Sequence, residues 1–169
     1  QAPGWVATVT DLAGIEVKPD SGKLDQYVKY YRAVVVAQPP ADPDGEITVT
    51  PGANTEADPD SPKYPAVIDK SEFVNTVTRT IQYLDAATGD LLSSTVTQTL
   101  SFKRKVDYNY TDDVLNPEVY YEPWEPYTTS EFEAVASPTI AGYFTLTKQV
   151  DALTTQAESQ LAPVMVLYY

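Results

Sequence analysis

The sequence predicts a mainly β, α+β protein, and three observations carry that prediction. Thirteen tyrosines and abundant threonine suit half-exposed sheet, because aromatic and β-branched side chains fit a pleated surface. The stretch "VTRTIQYLDAATGDLLSSTVTQTLSFKRK" alternates apolar with hydroxyl side chains on both sides of a turn, the signature of strands with one buried face. The closing "APVMVLYY", 162–169, is apolar on both faces until its tyrosine end and reads as an interior strand.

Along the chain, "WVATVT" (5–10) and "YVKYYRAVVVA" (27–37) have strand character and are separated by the turn-rich "PDSGK". Leu24, Tyr27, Val28 and Tyr31 also fit the three-and-four spacing of a short helix, and periodicity leaves that open. Seven of the fourteen prolines lie between 39 and 65, which excludes continuous central sheet there because proline donates nothing to a ladder. Only "GEITVT", 45–50, looks like a strand in that region. The run "PGANTEADPDSPKYPA", 51–66, reads as an extended connector stiffened by its prolines. The expected division is an N-terminal β-rich subdomain (1–61), a proline-containing connector (62–69) and a C-terminal domain (70–169). A unit of about 60 residues barely offsets its chain entropy, so the first subdomain is expected to lean on a neighbour.

In the C-terminal part, Val77, Ile81 and Tyr83 share one strand face, with Thr76, Thr78, Thr80 and Gln82 on the other. Asp85–Asp90 supplies the turn, with Gly89 free to take positive φ. The returning strand aligns Val96, Leu100 and Phe102, with Gln98 in their row, against Thr95, Thr97, Thr99 and Ser101. Ser130 and Glu133 in "SEFEAV" predict a capping box and a short helix stopped by Pro138. Hairpin, helix and final strand are the parts of a β-grasp domain, in which the last strand lies beside the first after a right-handed crossover.

Composition narrows the function classes. The formal charge of −13, shared as −6 over 1–69 and −7 over 70–169, repels phosphate backbones and argues against nucleic acid. It also favours a monomer in solution. Without cysteine or histidine, the chain has no disulfide framework or thiolate site, and it lacks the commonest general base and metal ligand. No apolar run is long enough for a membrane helix. The opening "QAPGWVATVT" does not follow the pattern of a secretory signal, and the chain reads as a piece of a longer polypeptide. No nucleophile, phosphate-loop or zinc motif occurs, so a non-enzymatic role is expected.

The ordered set "VTRTIQYLDAATGDLL", "VTQTLSFKRK", "WEP" and "FEAVASPTIAGY", preceded by "SPKYPAVIDKSEF", resembles the mucus-binding (Mub/MucBP-type) repeat of lactobacillal cell-surface adhesins over roughly 62–169. The resemblance implies two tandem ubiquitin-like β-grasp subdomains in an elongated arrangement. It further implies a cell-wall-anchored, extracellular protein that binds mucin glycans, and immunoglobulins as an alternative partner.

The candidate sites follow from side-chain chemistry. In "YYEPWEPY", Trp124 matches a strand tryptophan of the family pattern and is read as a packing residue. Tyr120, Tyr121 and Tyr127 are candidates for stacking on sugars. Mucin glycans often end in sialic acid or sulfate, so an acidic repeat gains nothing from long-range attraction beyond a Debye length of about 8 Å. Lys103, Arg104 and Lys105 are therefore candidate anion contacts, although lysines at a strand end also serve as a solvated edge that discourages sheet pairing. Asp42, Asp44 and Glu46 are candidate calcium ligands, with Asp58 and Asp60 nearby in sequence; turn carboxylates are the competing reading. Lys70, Glu72 and Asn75 have the residue types of an internal Lys–Asn crosslink.

Overall fold

A computed structural model describes residues 3–169 except 10, 15, 17 and 21. The strand expected at Thr10 and the turn expected at Ser21 therefore fall in part outside the described residues. Among the described residues the strands are β1 (Trp5–Val6), β2 (Tyr31–Arg32), β3 (Val34–Ala37), β4 (Val74–Asp85), β5 (Leu91–Lys103), β6 (Val106–Asn109) and β7 (Glu118–Tyr121). They continue as β8 (Glu125–Pro126), β9 (Glu131–Phe132), β10 (Val135–Ala136), β11 (Gln149–Val150), β12 (Leu153–Thr154) and β13 (Val164–Tyr168). The one helical element described is a 3-10 turn, Lys70–Glu72. The chain is mainly β.

Two compact units form, and neither is contiguous in sequence. The first contains Gln1–Pro39, Glu46–Phe73 and Lys105–Pro123; the second contains Pro40–Gly45, Val74–Arg104 and Trp124–Tyr169. These units cut across the expected boundaries 1–61, 62–69 and 70–169, because β6 and β7 pair with β3 in a β3-β6-β7 sheet. Pairing Val35 with Tyr108 and Ala37 with Val106 recruits 105–123 to the N-terminal core. Val6, Tyr31, Ala33, Ala37, Phe73, Val106, Tyr108 and Tyr110 are buried there, and Tyr64 meets Tyr108 edge-on at 5.7 Å. The helix open to Leu24, Tyr27, Val28 and Tyr31 does not form: residues 23–30 carry no regular structure and Tyr31 enters β2. "GEITVT" is likewise not a strand.

The connector is not extended. Residues 51–66 close on themselves through Gly52 N–H to the Pro65 carbonyl at 2.9 Å, Tyr64 N–H to Ala53 at 2.9 Å and Thr55 N–H to Pro62 at 2.8 Å. Proline cannot donate but keeps its acceptor, and Pro59, Pro62 and Pro65 all use it, the first toward Asn54 Nδ2 at 3.0 Å.

In the second unit the four-stranded order is β13-β4-β5-β8. β4 and β5 form the expected hairpin, and Gly89 takes φ 78° at its turn with its N–H on the Asp85 carbonyl at 2.8 Å. β13 runs parallel to β4, with Val164 opposite Ile81 and Tyr168 opposite Asp85. It occupies the end of the sheet rather than the interior expected of "APVMVLYY": Val166 and Tyr168 are buried, whereas Met165 is 64% exposed. An apolar side chain on the outer face is ordinary, because apolar atoms supply much of any protein surface.

The expected helix at 130–137 is absent. β9 pairs with β12 and β10 with β11, so the crossover to β13 is built from two-residue strands. Ser130 uses its carbonyl to accept from Thr155 N–H at 2.8 Å rather than acting as a cap, and Phe132 is buried in the core. Two turns of isolated helix are marginal, so these tertiary pairings prevail. A capping box does form elsewhere: Asp69 accepts from Ser71 N–H at 2.9 Å while Glu72 accepts from Asp69 N–H at 2.7 Å.

Candidate functional site

The hairpin's buried row holds a charge. Arg79 lies between Val77 and Ile81 and is only 2% exposed. Its Nε donates to Gln98 Oε1 at 2.8 Å, and its terminal nitrogens donate to the Asp151 and Glu133 carbonyls at 2.7 Å each. The guanidinium also lies 5.2 Å from the Phe132 ring centroid. Gln98, the polar residue in the apolar row of β5, is thereby explained: it meets Arg79 across the pair and also donates Nε2 to Glu133 O at 3.0 Å.

The stretch "YYEPWEPY" is divided between the two units at Pro123 and Trp124. Tyr120 and Tyr121, 51% and 49% exposed, end β7 in the first unit. Their hydroxyls are engaged by Glu118 and, at 3.0 Å, by Glu72; the Glu118 contact raises the Tyr120 phenol. Tyr127 belongs to the second unit, half-buried, donating to the Pro40 carbonyl at 2.9 Å. Burial, followed by the charge of Asp42, raises its phenol.

In the second unit two of the basic candidates lie over aromatic rings, one of them that of the candidate Tyr127. Lys103 Nζ sits 5.2 Å from the Tyr127 centroid, and the Arg104 guanidinium lies 4.1 Å from that of Trp124. Such contacts contribute about 0.5–1 kcal/mol each where solvent reaches them. Lys105 belongs to the first unit and is exposed. Among the described residues no three His, Cys, Asp or Glu side chains converge as a metal site. The Asp42 carboxylate instead accepts from Asp44 N–H at 2.9 Å within its own turn, Glu46 is exposed, and Asp58 and Asp60 bind Lys29 at 2.9 and 3.0 Å. Asn75 Nδ2 donates to Ala157 O at 2.6 Å, and Glu72 serves the 3-10 cap.

One concave feature escaped sequence reasoning. A groove of about 310 Å³ in the second unit is lined by Phe102, Trp124, Thr155, Gln156, Ala157 and Glu158. That volume sits at the small end of ligand sites, roughly 300–1,000 Å³. Trp124 packs on the cluster of Val77, Leu100, Phe102, Phe132 and Ala157. Trp124 Nε1 and Thr155 Oγ1 are both buried without a hydrogen-bond partner among the described residues. Leaving such atoms unpaired costs about 1–3 kcal/mol each, so two of them on residues lining one groove need a reason. Thr155-Gln156-Ala157-Glu158 carries no recognisable pattern in sequence; Phe102, in the apolar row of β5, and Trp124 gave the signals there.

The Muc B2-like domain model matches residues 68–169. No curated protein matches the sequence. Among solved structures, the type 2 repeat of the mucus binding protein MUB from Lactobacillus reuteri superposes with a TM-score of 0.51 at 20% identity, covering 98% of this chain and 75% of that one. Mub-RV gives 0.53 at 21% identity, covering 98% and 74%. The MucBP domain of an adhesion protein from Pediococcus pentosaceus is 31% identical over 55% of this chain and 95% of its own, with a TM-score of 0.44. The first two share the fold along nearly the whole chain. Because the family model spans more than half of the sequence, including β4, β5 and β13, the chain belongs to the Muc B2-like domain family.

Proposed function

We propose that this chain is a non-catalytic, mucus-binding adhesion repeat of a bacterial surface protein, displayed outside the cell through its parent polypeptide. The observation that carries the reading is the family match over 68–169; the type 2 repeat of the mucus binding protein MUB from Lactobacillus reuteri, which shares the fold, supports it. With a net charge of −13, adhesion to acidic mucins rests on short-range hydrogen bonds and apolar contacts. Each site is weak, and repetition along a chain raises effective concentration without new contacts. Exposed Tyr120 and Tyr121 offer apolar area with a polar handle, while Lys103 and Arg104 lie against Tyr127 and Trp124.

The test is surface binding of a single copy of the chain, and of tandem copies, to native mucin, deglycosylated mucin and immunoglobulin, each with and without chelator. Binding to native mucin that disappears on deglycosylation and ignores chelator is expected. Absence of mucin binding even by tandem copies sinks the reading, and loss of binding on chelation would restore calcium at Asp42, Asp44 and Glu46 as a bridging ion. A second reading has its own observation: β7 ends the β3-β6-β7 sheet with all four residues exposed, an edge suited to strand addition by a protein such as immunoglobulin. Binding that survives deglycosylation and is abolished by Val119→Pro favours that reading, whereas a chain that binds none of the three is a spacer.

A further inference from the structure

We propose that the groove bounded by Phe102, Trp124 and Thr155–Glu158 is a subsite for a neutral N-acetylated hexose; this rests on the adhesion reading and names the sugar class for one site. Trp124 and Thr155 line the groove, and each carries a buried polar atom, Nε1 and Oγ1, with no hydrogen-bond partner among the described residues; Thr155 is only 8% exposed. The indole N–H requires an acceptor, and the threonine hydroxyl takes either role. Phe102 and Ala157 form an apolar wall beside them. An acetamido group supplies what these atoms lack: a carbonyl for the indole, an N–H for the hydroxyl and a methyl for the apolar wall.

Charge selects the rest of the ligand. The Glu158 carboxylate lines the groove, so a sialic acid carboxylate or a sulfate is repelled, whereas ring hydroxyls can donate to it. Arg104 covers the Trp124 ring at 4.1 Å, so the sugar meets the N–H edge of the indole rather than stacking on that face. Gln156 and Glu158 are exposed at the mouth, on a turn held by Ser159 N–H to Gln156 O at 3.1 Å. Because Nε1 and Oγ1 are closed to solvent, the proposed sugar reaches them by displacing these two exposed side chains, at little cost because neither packs in the core.

Nitrogen–proton correlation NMR of the chain, titrated separately with the methyl glycosides of N-acetylgalactosamine, galactose and sialic acid, tests this directly. Trp5→Phe assigns the two indole signals. The acetamido glycoside is expected to shift the Trp124 indole resonance saturably and more tightly than galactoside, with sialoside weakest. Thr155→Val, nearly isosteric, is expected to weaken that titration roughly three- to tenfold, the worth of one hydrogen bond. Trp124→Phe, read by saturation transfer to the ligand, should do the same and decides the matter if Thr155→Val loses the dispersed spectrum of the folded chain. An unmoved Trp124 indole, equal affinity for galactoside, preference for sialoside, or variants that bind like the parent would overturn the proposal. Mucin binding by a chain whose Trp124 ignores all three glycosides removes this subsite and leaves the adhesion reading standing; glycoside binding without mucin binding does the reverse.

Discussion

Arg79→Met is the most informative perturbation of this fold, because it exchanges a buried guanidinium for an apolar side chain that fills part of the same space. Three donors are lost, toward Gln98 Oε1, Asp151 O and Glu133 O. Glu133 O keeps a partner, since Gln98 Nε2 also reaches it at 3.0 Å. Two acceptors are then stranded, at about 1–3 kcal/mol each, while the desolvation cost of the guanidinium is recovered in part. The net loss is about 2–4 kcal/mol, concentrated in the second unit. Arg79→Lys should lose most of that as well, because one ammonium cannot reproduce the planar fork that joins two loops to β5. Urea unfolding followed by Trp124 fluorescence in a Trp5→Phe background measures it, Trp124 being the remaining tryptophan. A midpoint for Arg79→Met equal to or above that of the parent refutes the claim that Arg79 ties the crossover to the hairpin.

Gly89→Ala forces a side chain into the left-handed region at φ 78° and is expected to cost about 1–2 kcal/mol, seen as a lower midpoint with an unchanged slope; no change refutes the turn geometry. Acid should destabilise the chain: Asp58 is held below the usual carboxylate value first by Lys29, and Asp69, Asp85 and Asp113 first by the backbone N–H groups of Ser71, Ala87 and Leu115. Depressed folded values give stability that is full above the unfolded value near 4 and vanishes as pH falls through the folded ones, while relief of the −13 charge acts oppositely on the way down. Thermal midpoints should therefore peak near pH ~5 and fall below it; a midpoint still rising toward pH ~3 refutes the assignment. At alkaline pH, burial with the nearby Glu72 charge pushes Tyr108 up to about 12, and burial likewise raises Tyr110. Stability is full below the unfolded phenol value near 10 and is lost as pH rises toward the folded values, so tyrosinate absorbance should show a delayed fraction released on unfolding. Simple titration of all thirteen tyrosines with one midpoint near 10 is the contrary result.

Features that repeat every two residues or sit within one turn are legible from the residues alone. The alternation of Val77, Ile81 and Tyr83, the row of Leu100 and Phe102, and the glycine at 89 define the hairpin, since strand period and positive φ are local properties. Parallel pairing of β13 with β4 was legible too, because a second apolar strand after a long crossover has few places to go. The other features depend on contacts distant in sequence. Arg79 finds its carbonyls 54 and 72 residues away, Phe132 is drawn into the core in place of a helix, and 105–123 joins the N-terminal unit by pairing with β3. The groove at Trp124 and Thr155 exists only once segments more than thirty residues apart are folded together. Side-chain periodicity reports which face of a strand is apolar, but unpaired donors and acceptors find their partners, or fail to, only in three dimensions.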